Sequence, residues 1–161
     1  MTIQAGDRIP DGKLKVMGKD GPTNVEASEL LGQGRVVAFS VPGAFTPTCD
    51  AKHLPGFIEK AGDLQRKGVG RIVCLAVNDV FVMNAWGRHA GVGDAIVMAA
   101  DGNGDYTRAL GLELDARGFG MGMRGKRFAL VIEDGVVKQV HVEAPGEFKV
   151  SSADHILGEL A

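Results

Sequence analysis

The chain has 161 residues, 45% of them hydrophobic and 24% charged, enough apolar material for one ordinary domain that needs no disulfide or metal staple. Its 18 basic and 20 acidic residues leave a net charge of -2 with no Lys/Arg block, which removes the electrostatic basis for nucleic acid as a partner. The longest apolar runs, such as Ile72 to Val77, are too short for a membrane span, and Met1 to Asp7 lacks the pattern of a secretory signal; the expectation is a single cytoplasmic domain over residues 1–161 with no membrane partner.

In chain order, the first clear element is the apolar run of residues 35 to 41, ended by Pro42-Gly43, which suits a strand buried on both faces. Beyond Thr46-Pro47-Thr48-Cys49-Asp50, the residues Leu54, Phe57, Ile58, Ala61 and Leu64 recur at spacings of three and four, one face of a helix. Pro55 falls inside that pattern and predicts a bend or a division into two pieces. Ile72 to Val77 reads as a second buried strand, and Asn78-Asp79 offers an N-cap for a helix carrying Phe81, Val82, Ala85 and Trp86. A short strand at Ile96 to Met98 and a helical piece from Asp105 to Leu110 follow, then a Gly-rich stretch, Gly118 to Gly125, expected as an irregular surface loop.

Phe128 to Ile132, the turn Asp134-Gly135 and Val136 to Val142 read as a β-hairpin, because Asp-Gly supplies the positive φ of a tight turn. Ser151-x-x-Asp154 has the form of a capping box opening a last helix with Ile156, Leu157 and Leu160. Alternating strands and helices followed by an antiparallel hairpin predict an α/β fold, a mixed central sheet flanked by helices in the thioredoxin-like layout.

There are two cysteines, Cys49 and Cys74, 25 residues apart (74 minus 49), with no C-x-x-C and no Cys/His cluster at zinc spacing. Neither a dithiol nor a metal site is encoded, and no metal or prosthetic group is expected. Most cysteines are buried small hydrophobes, the reading adopted for Cys74 inside its strand run. Cys49 differs, because it stands where a buried strand turns through a loop into a helix. There, unpaired backbone N–H groups and the positive end of the helix dipole favour thiolate over thiol.

A helix terminus supplies only about 1–2 kcal/mol, so a cation is needed as well. Arg127, at the mouth of the strand Phe128 to Ile132, is the candidate, since its guanidinium stays charged. Thr46 offers a hydroxyl that both donates and accepts, and Pro42 closes the pocket without adding an N–H. His53, four residues after Cys49, invites comparison with a Cys–His hydrolase, but no orienting Asn or Asp is identifiable and an exposed position near the helix start is expected. Gly102-Asn103-Gly104-Asp105 lacks the further ligands of a cation or phosphate loop and reads as a turn.

The segment Pro42-Gly43-Ala44-Phe45-Thr46-Pro47-Thr48-Cys49 matches the P-x-x-x-T-x-x-C signature of peroxiredoxins. With Val77 to Trp86 and Arg124 to Leu130, the chain resembles the peroxiredoxin five, or type II, subfamily over nearly its whole length. The resemblance implies a thioredoxin-like fold and reduction of hydrogen peroxide and alkyl hydroperoxides. It assigns Cys49 as nucleophile, Thr46 as hydrogen-bond partner of the substrate oxygen, Pro42 as shield of the thiolate and Arg127 as its cation. It also implies a homodimer, with Phe81 and Trp86 expected in the core or at the contact.

One departure matters. Many members carry a resolving cysteine in a later loop, whereas here Val150-Ser151-Ser152 occupies that region and no cysteine follows Cys74. A one-cysteine cycle is therefore expected, with the sulfenic acid of Cys49 met by an external thiol, glutathione with glutaredoxin first and thioredoxin second. The rival reading is a redox-sensing binding protein whose partner surface switches when Cys49 is oxidised. A thiol–disulfide oxidoreductase ranks third for want of a second active thiol.

Overall fold

Side chains alternate between the two faces of a strand, and in the central strands this divides the core into two layers. A computed structural model describes residues 2–160; Met1 and Ala161, the ends of the expected 1–161 domain, lie outside the described residues. In β3 (Arg35–Ser40) and β4 (Val69–Ala76), Val37, Phe39, Ile72, Cys74 and Ala76 face one layer, while Val36, Ala38, Val73 and Leu75 face the other. The first layer is closed by α2 (Leu54–Arg66), α3 (Val80–Ala90) and α5 (Ala153–Glu159), and the second by α1 (Ala27–Leu31) and α4 (Asp105–Leu110).

The remaining strands are β1 (Lys13–Gly18), β2 (Gly21–Glu26), β5 (Val97–Ala100), β6 (Glu113–Asp115), β7 (Met123–Gly125), β8 (Phe128–Glu133) and β9 (Val136–Val142). Seven of the nine strands among the described residues form one mixed sheet in the order β2-β1-β5-β4-β3-β8-β9, with β3, β4 and β5 parallel and the outer pairs antiparallel. The expected sheet flanked by helices on both faces is present. The β8–β9 hairpin also forms as read, with Asp134 and Gly135 at φ 48° and 82°, the left-handed values of a tight hairpin turn.

Several expectations are corrected. The helix α3 is capped by Asp79, whose side chain accepts from the Val82 N–H, and it buries Trp86 as read, but together with Val80, Met83 and Gly87 rather than with Phe81, Val82 and Ala85. Gly87 sets that face, because a Cβ there would stand 2.7 Å from Met98 Cγ; the helix packs closest where there is no side chain, and Phe81 is left 63% exposed, outside the core. The cap of α5 is Ser152, not Ser151. The Gly-rich stretch ends in a strand, β7, paired with β6. The strands expected from Ile72 and Ile96 begin at Val69 and Val97. The β1–β2 hairpin and α1 carry no sequence expectation.

Candidate active site

After β3 the chain turns through Pro42 to Phe45 and enters a helical run at Pro47, a residue whose fixed φ and missing N–H suit a first helical position. Thr46 contributes the first acceptor of that run, its carbonyl taking the Asp50 N–H at 2.8 Å, so Cys49 lies in the first turn. The turn is tight. Phe45 is held at φ 63°, a left-handed conformation costing about 1–3 kcal/mol for such a residue, and the residue is 46% exposed.

Cys49–His53 form a π-helical turn that passes directly into α2, with Pro55 in the first turn of the α-helix. This is the division that Pro55 predicted. Without an N–H, Pro55 cannot donate to the carbonyl four residues back, and the ladder widens just before it. Among the described residues, this is the only π-helical turn.

Arg127 reaches Cys49 from the far end of the sequence. Its carbonyl accepts the Glu143 N–H at 2.9 Å, extending the β8–β9 ladder by one rung and fixing where the side chain starts. The Nη2 group then donates to Cys49 Sγ at 3.0 Å, and Nη1 to His53 Nδ1 at 2.9 Å. Arg127 is half-buried, with its guanidinium carbon 5.8 Å from the Phe148 ring centre.

The other expected residues stand around the same elbow. Thr46 Oγ1 donates to the Gly43 carbonyl at 2.7 Å, which commits its proton and leaves its lone pairs as acceptors. Pro42 and Arg127 line a cleft of about 380 Å³ with Thr48, Leu114, Phe119 and Met121. The Pro42 carbonyl accepts weakly from Arg124 Nη1 at 3.4 Å, and Asn78 Oδ1 accepts the Ala44 N–H at 2.9 Å, so side chains from two other segments brace the turn.

The expected exposure of His53 is wrong. It is fully buried, and it touches the site through Arg127 rather than as a base beside the thiol. Desolvation, then the Arg127 charge, push it down from 6.5 to about 3, so the ring is neutral. Trp86 is also buried, and its Nε1 donates to Asp50 Oδ1 at 2.8 Å, tying α3 to the π turn. Neither contact has a sequence signature beyond an aromatic ring at a periodic position.

Cys49 and Cys74 are both free thiols, fully buried in the same core layer. Burial pushes the Cys74 thiol well above its ordinary range, and Cys49 adds to the effect while Arg127 opposes it. The Cys74 thiol is therefore protonated and unreactive at neutral pH, as its strand position predicts.

The family described as Redoxin matches residues 4–157. Peroxiredoxin-2B of Arabidopsis thaliana is 48% identical over 159 residues, covering 98% of this chain and 98% of its own. The crystal structure of reduced Prx3 in complex with hydrogen peroxide from Vibrio vulnificus aligns with a TM-score of 0.95 at 46% identity, covering 99% of this chain and 100% of that one. The Plasmodium falciparum antioxidant protein, a 1-Cys peroxiredoxin, aligns with a TM-score of 0.86 at 26% identity over 96% of both chains.

Proposed function

This chain belongs to the Redoxin family and is a peroxiredoxin, a thiol-dependent peroxidase of thioredoxin-like fold; from that premise we propose that Cys49 reduces hydrogen peroxide and alkyl hydroperoxides in a one-cysteine cycle. The observation that carries the reading is the 3.0 Å contact from Arg127 Nη2 to Cys49 Sγ inside the strand-to-helix elbow. A free thiol is only a few per cent ionised at pH 7; a guanidinium hydrogen bond and a helix start both favour the reactive anion.

In the first half-reaction the Cys49 thiolate attacks one peroxide oxygen. The S–O bond forms as the O–O bond breaks, and hydroxide or alkoxide leaves and takes a proton, so sulfur is oxidised to sulfenic acid and the peroxide reduced. Arg127 stabilises the negative charge developing on the departing oxygen, the Thr46 hydroxyl accepts a hydrogen bond from the incoming hydroperoxide, and Pro42 shields the sulfur. The apolar side chains of the cleft, Leu114, Phe119 and Met121, suit the carbon tail of an alkyl hydroperoxide.

In the second half-reaction one glutathione thiol displaces the sulfenic oxygen as water, and a second thiol, delivered by glutaredoxin, releases Cys49 as thiolate with formation of a disulfide. Thioredoxin is the second candidate reductant. No metal or organic prosthetic group enters this cycle. Support for an external reductant comes from the sequence, which has no cysteine after Cys74, and from the burial of Cys74 itself. The working form is proposed to be a cytoplasmic homodimer, with the exposed rings of Phe45 and Phe81 at the contact. No helix among the described residues is long and apolar enough to cross a membrane.

The test is peroxide consumption with glutathione plus glutaredoxin, or with thioredoxin, using Cys49→Ser as the blank. Sustained turnover with either donor supports the reading. Stoichiometric oxidation of Cys49 with no turnover under any thiol donor overturns it in favour of a redox-sensing binding protein.

A further inference from the structure

Arg127 has two ends to satisfy. Five N–H donors sit on a flexible side chain, and a guanidinium free to rotate would spend much of its time away from Cys49. One branch, Nη2, is on the thiol, and the other, Nη1, is on His53 Nδ1 at 2.9 Å. Because arginine only donates, Nδ1 must be the unprotonated nitrogen, and the ring hydrogen must lie on Nε2. Nε2 in turn lies 2.9 Å from the Ser151 carbonyl, an acceptor, so the tautomer is fixed from both sides.

The Ser151 carbonyl is itself held. Glu143 accepts from the backbone N–H groups of Lys149, Val150 and Ser151 and from Ser151 Oγ, all between 2.7 and 2.9 Å. One carboxylate thereby gathers the whole 149–151 segment, and the backbone N–H of Glu143 donates to the Arg127 carbonyl. The chain of contacts is closed: Arg127 backbone, Glu143, Ser151, His53, Arg127 side chain. Phe39, Phe57 and Phe148 enclose the imidazole, with ring centres 4.8, 5.6 and 4.9 Å away, and keep water from competing for its nitrogens.

We infer that His53 is a positioning residue of the peroxidase site, a neutral acceptor that locks the Arg127 guanidinium onto Cys49, with the Glu143-gathered segment 149–151 holding the imidazole in place. The inference rests on the proposed role of Cys49. It differs from the Cys–His arrangement of a hydrolase in that His53 neither takes nor gives a proton during the reaction. The 149–151 segment thereby serves the first half-reaction.

The experiment compares His53→Leu, which keeps bulk but no acceptor, with His53→Asn, whose Oδ1 falls near the Nδ1 position, each in the wild-type and Arg127→Gln backgrounds. Circular dichroism checks the fold. Two rates are read at pH 7: alkylation of Cys49 by iodoacetamide, which senses the thiolate without peroxide, and single-turnover oxidation by hydrogen peroxide. His53→Leu is expected to slow both by about tenfold, His53→Asn to recover most of that loss, and His53→Leu to add nothing once Arg127 is Gln. Wild-type rates in His53→Leu, equal losses in the Leu and Asn variants, or a further loss in the Arg127→Gln background would each overturn the inference.

Should His53→Leu fail to fold, Glu143→Gln takes its place in the same two backgrounds. A loss seen only when Arg127 is present supports the positioning chain, and no loss or an additive one rejects it. A wild-type chain that alkylates rapidly yet ignores peroxide would sink the peroxidase reading, while the alkylation comparison would still decide the role of His53.

Discussion

Arg127 and Cys49, 78 residues apart in sequence, meet through a single hydrogen bond of 3.0 Å between Nη2 and Sγ. It is the one strong cation–thiol contact of the described residues, and removing it has a calculable consequence. Hydrogen bonds to charged groups are worth about 1.5–3 kcal/mol, so Arg127→Gln should slow peroxide oxidation of Cys49 by roughly tenfold to a hundredfold. Stopped-flow oxidation, with the thiolate absorbance at pH 7 as a second reading, checks this; a thiolate fraction equal to wild type would reject the role of Arg127.

The second cysteine should prove dispensable. Cys74 lies at full burial with its thiol pushed well above the ordinary range, so Cys74→Ala should retain turnover while losing on the order of 1 kcal/mol of stability from the space it leaves. Non-reducing mass analysis after peroxide treatment should find no bond between Cys49 and Cys74. A large loss of turnover in a folded Cys74→Ala chain would contradict both statements.

Acid stability should carry the signature of His53. The unfolded chain takes up a proton at this ring below about 6.5, whereas the folded chain does so only near 3, so folding stability falls as pH is lowered through that window. The slope from this residue is about 1.4 kcal/mol per pH unit. Glu143 acts in the same direction: burial would raise its carboxyl, but the N–H groups of Lys149, Ser151 and Val150 and the Ser151 hydroxyl hold it below the ordinary value, and that stability is lost as acid protonates it. Urea unfolding between pH 7 and 4 should show a shallower decline in His53→Leu than in wild type, and parallel declines would remove His53 as the cause.

Trp86 is the chain's single tryptophan, and its indole N–H is bonded to Asp50, the residue after Cys49. Its fluorescence should therefore change when Cys49 is oxidised, at the same rate as peroxide is consumed in a single turnover. Trp86→Phe leaves the Asp50 oxygen without that donor and should cost about 1–3 kcal/mol in urea unfolding. An indole signal indifferent to peroxide would mean that oxidation does not reach the π turn.

How much of this is legible in the residues alone depends on where the decisive partner lies. The elbow and the hairpin are written locally, in Pro42-Gly43, the helical spacing after Cys49 and Asp134-Gly135, and both stand as read. The β1–β2 hairpin is not, because Leu14 is its one buried side chain and little apolar alternation survives on an edge pair. The buried face of α3 turns on Gly87, a residue that adds nothing to a hydrophobic pattern yet permits the closest approach. Ser151 looks like a helix cap by spacing, but its N–H and hydroxyl are taken by Glu143, and Ser152 caps instead. His53 is the largest miss: nothing near it in sequence announces that Arg127, 74 residues on, and Ser151, 98 residues on, will close around it.

During synthesis from the N-terminus, Cys49 leaves the ribosome long before Arg127, and the β8–β9 hairpin that follows the arginine is complete only after residue 142 has been made. Through that interval the nascent chain holds an ordinary thiol with no guanidinium beside it. What brings the guanidinium to the sulfur is thus the docking of the β8–β9 hairpin and not the synthesis of the cysteine.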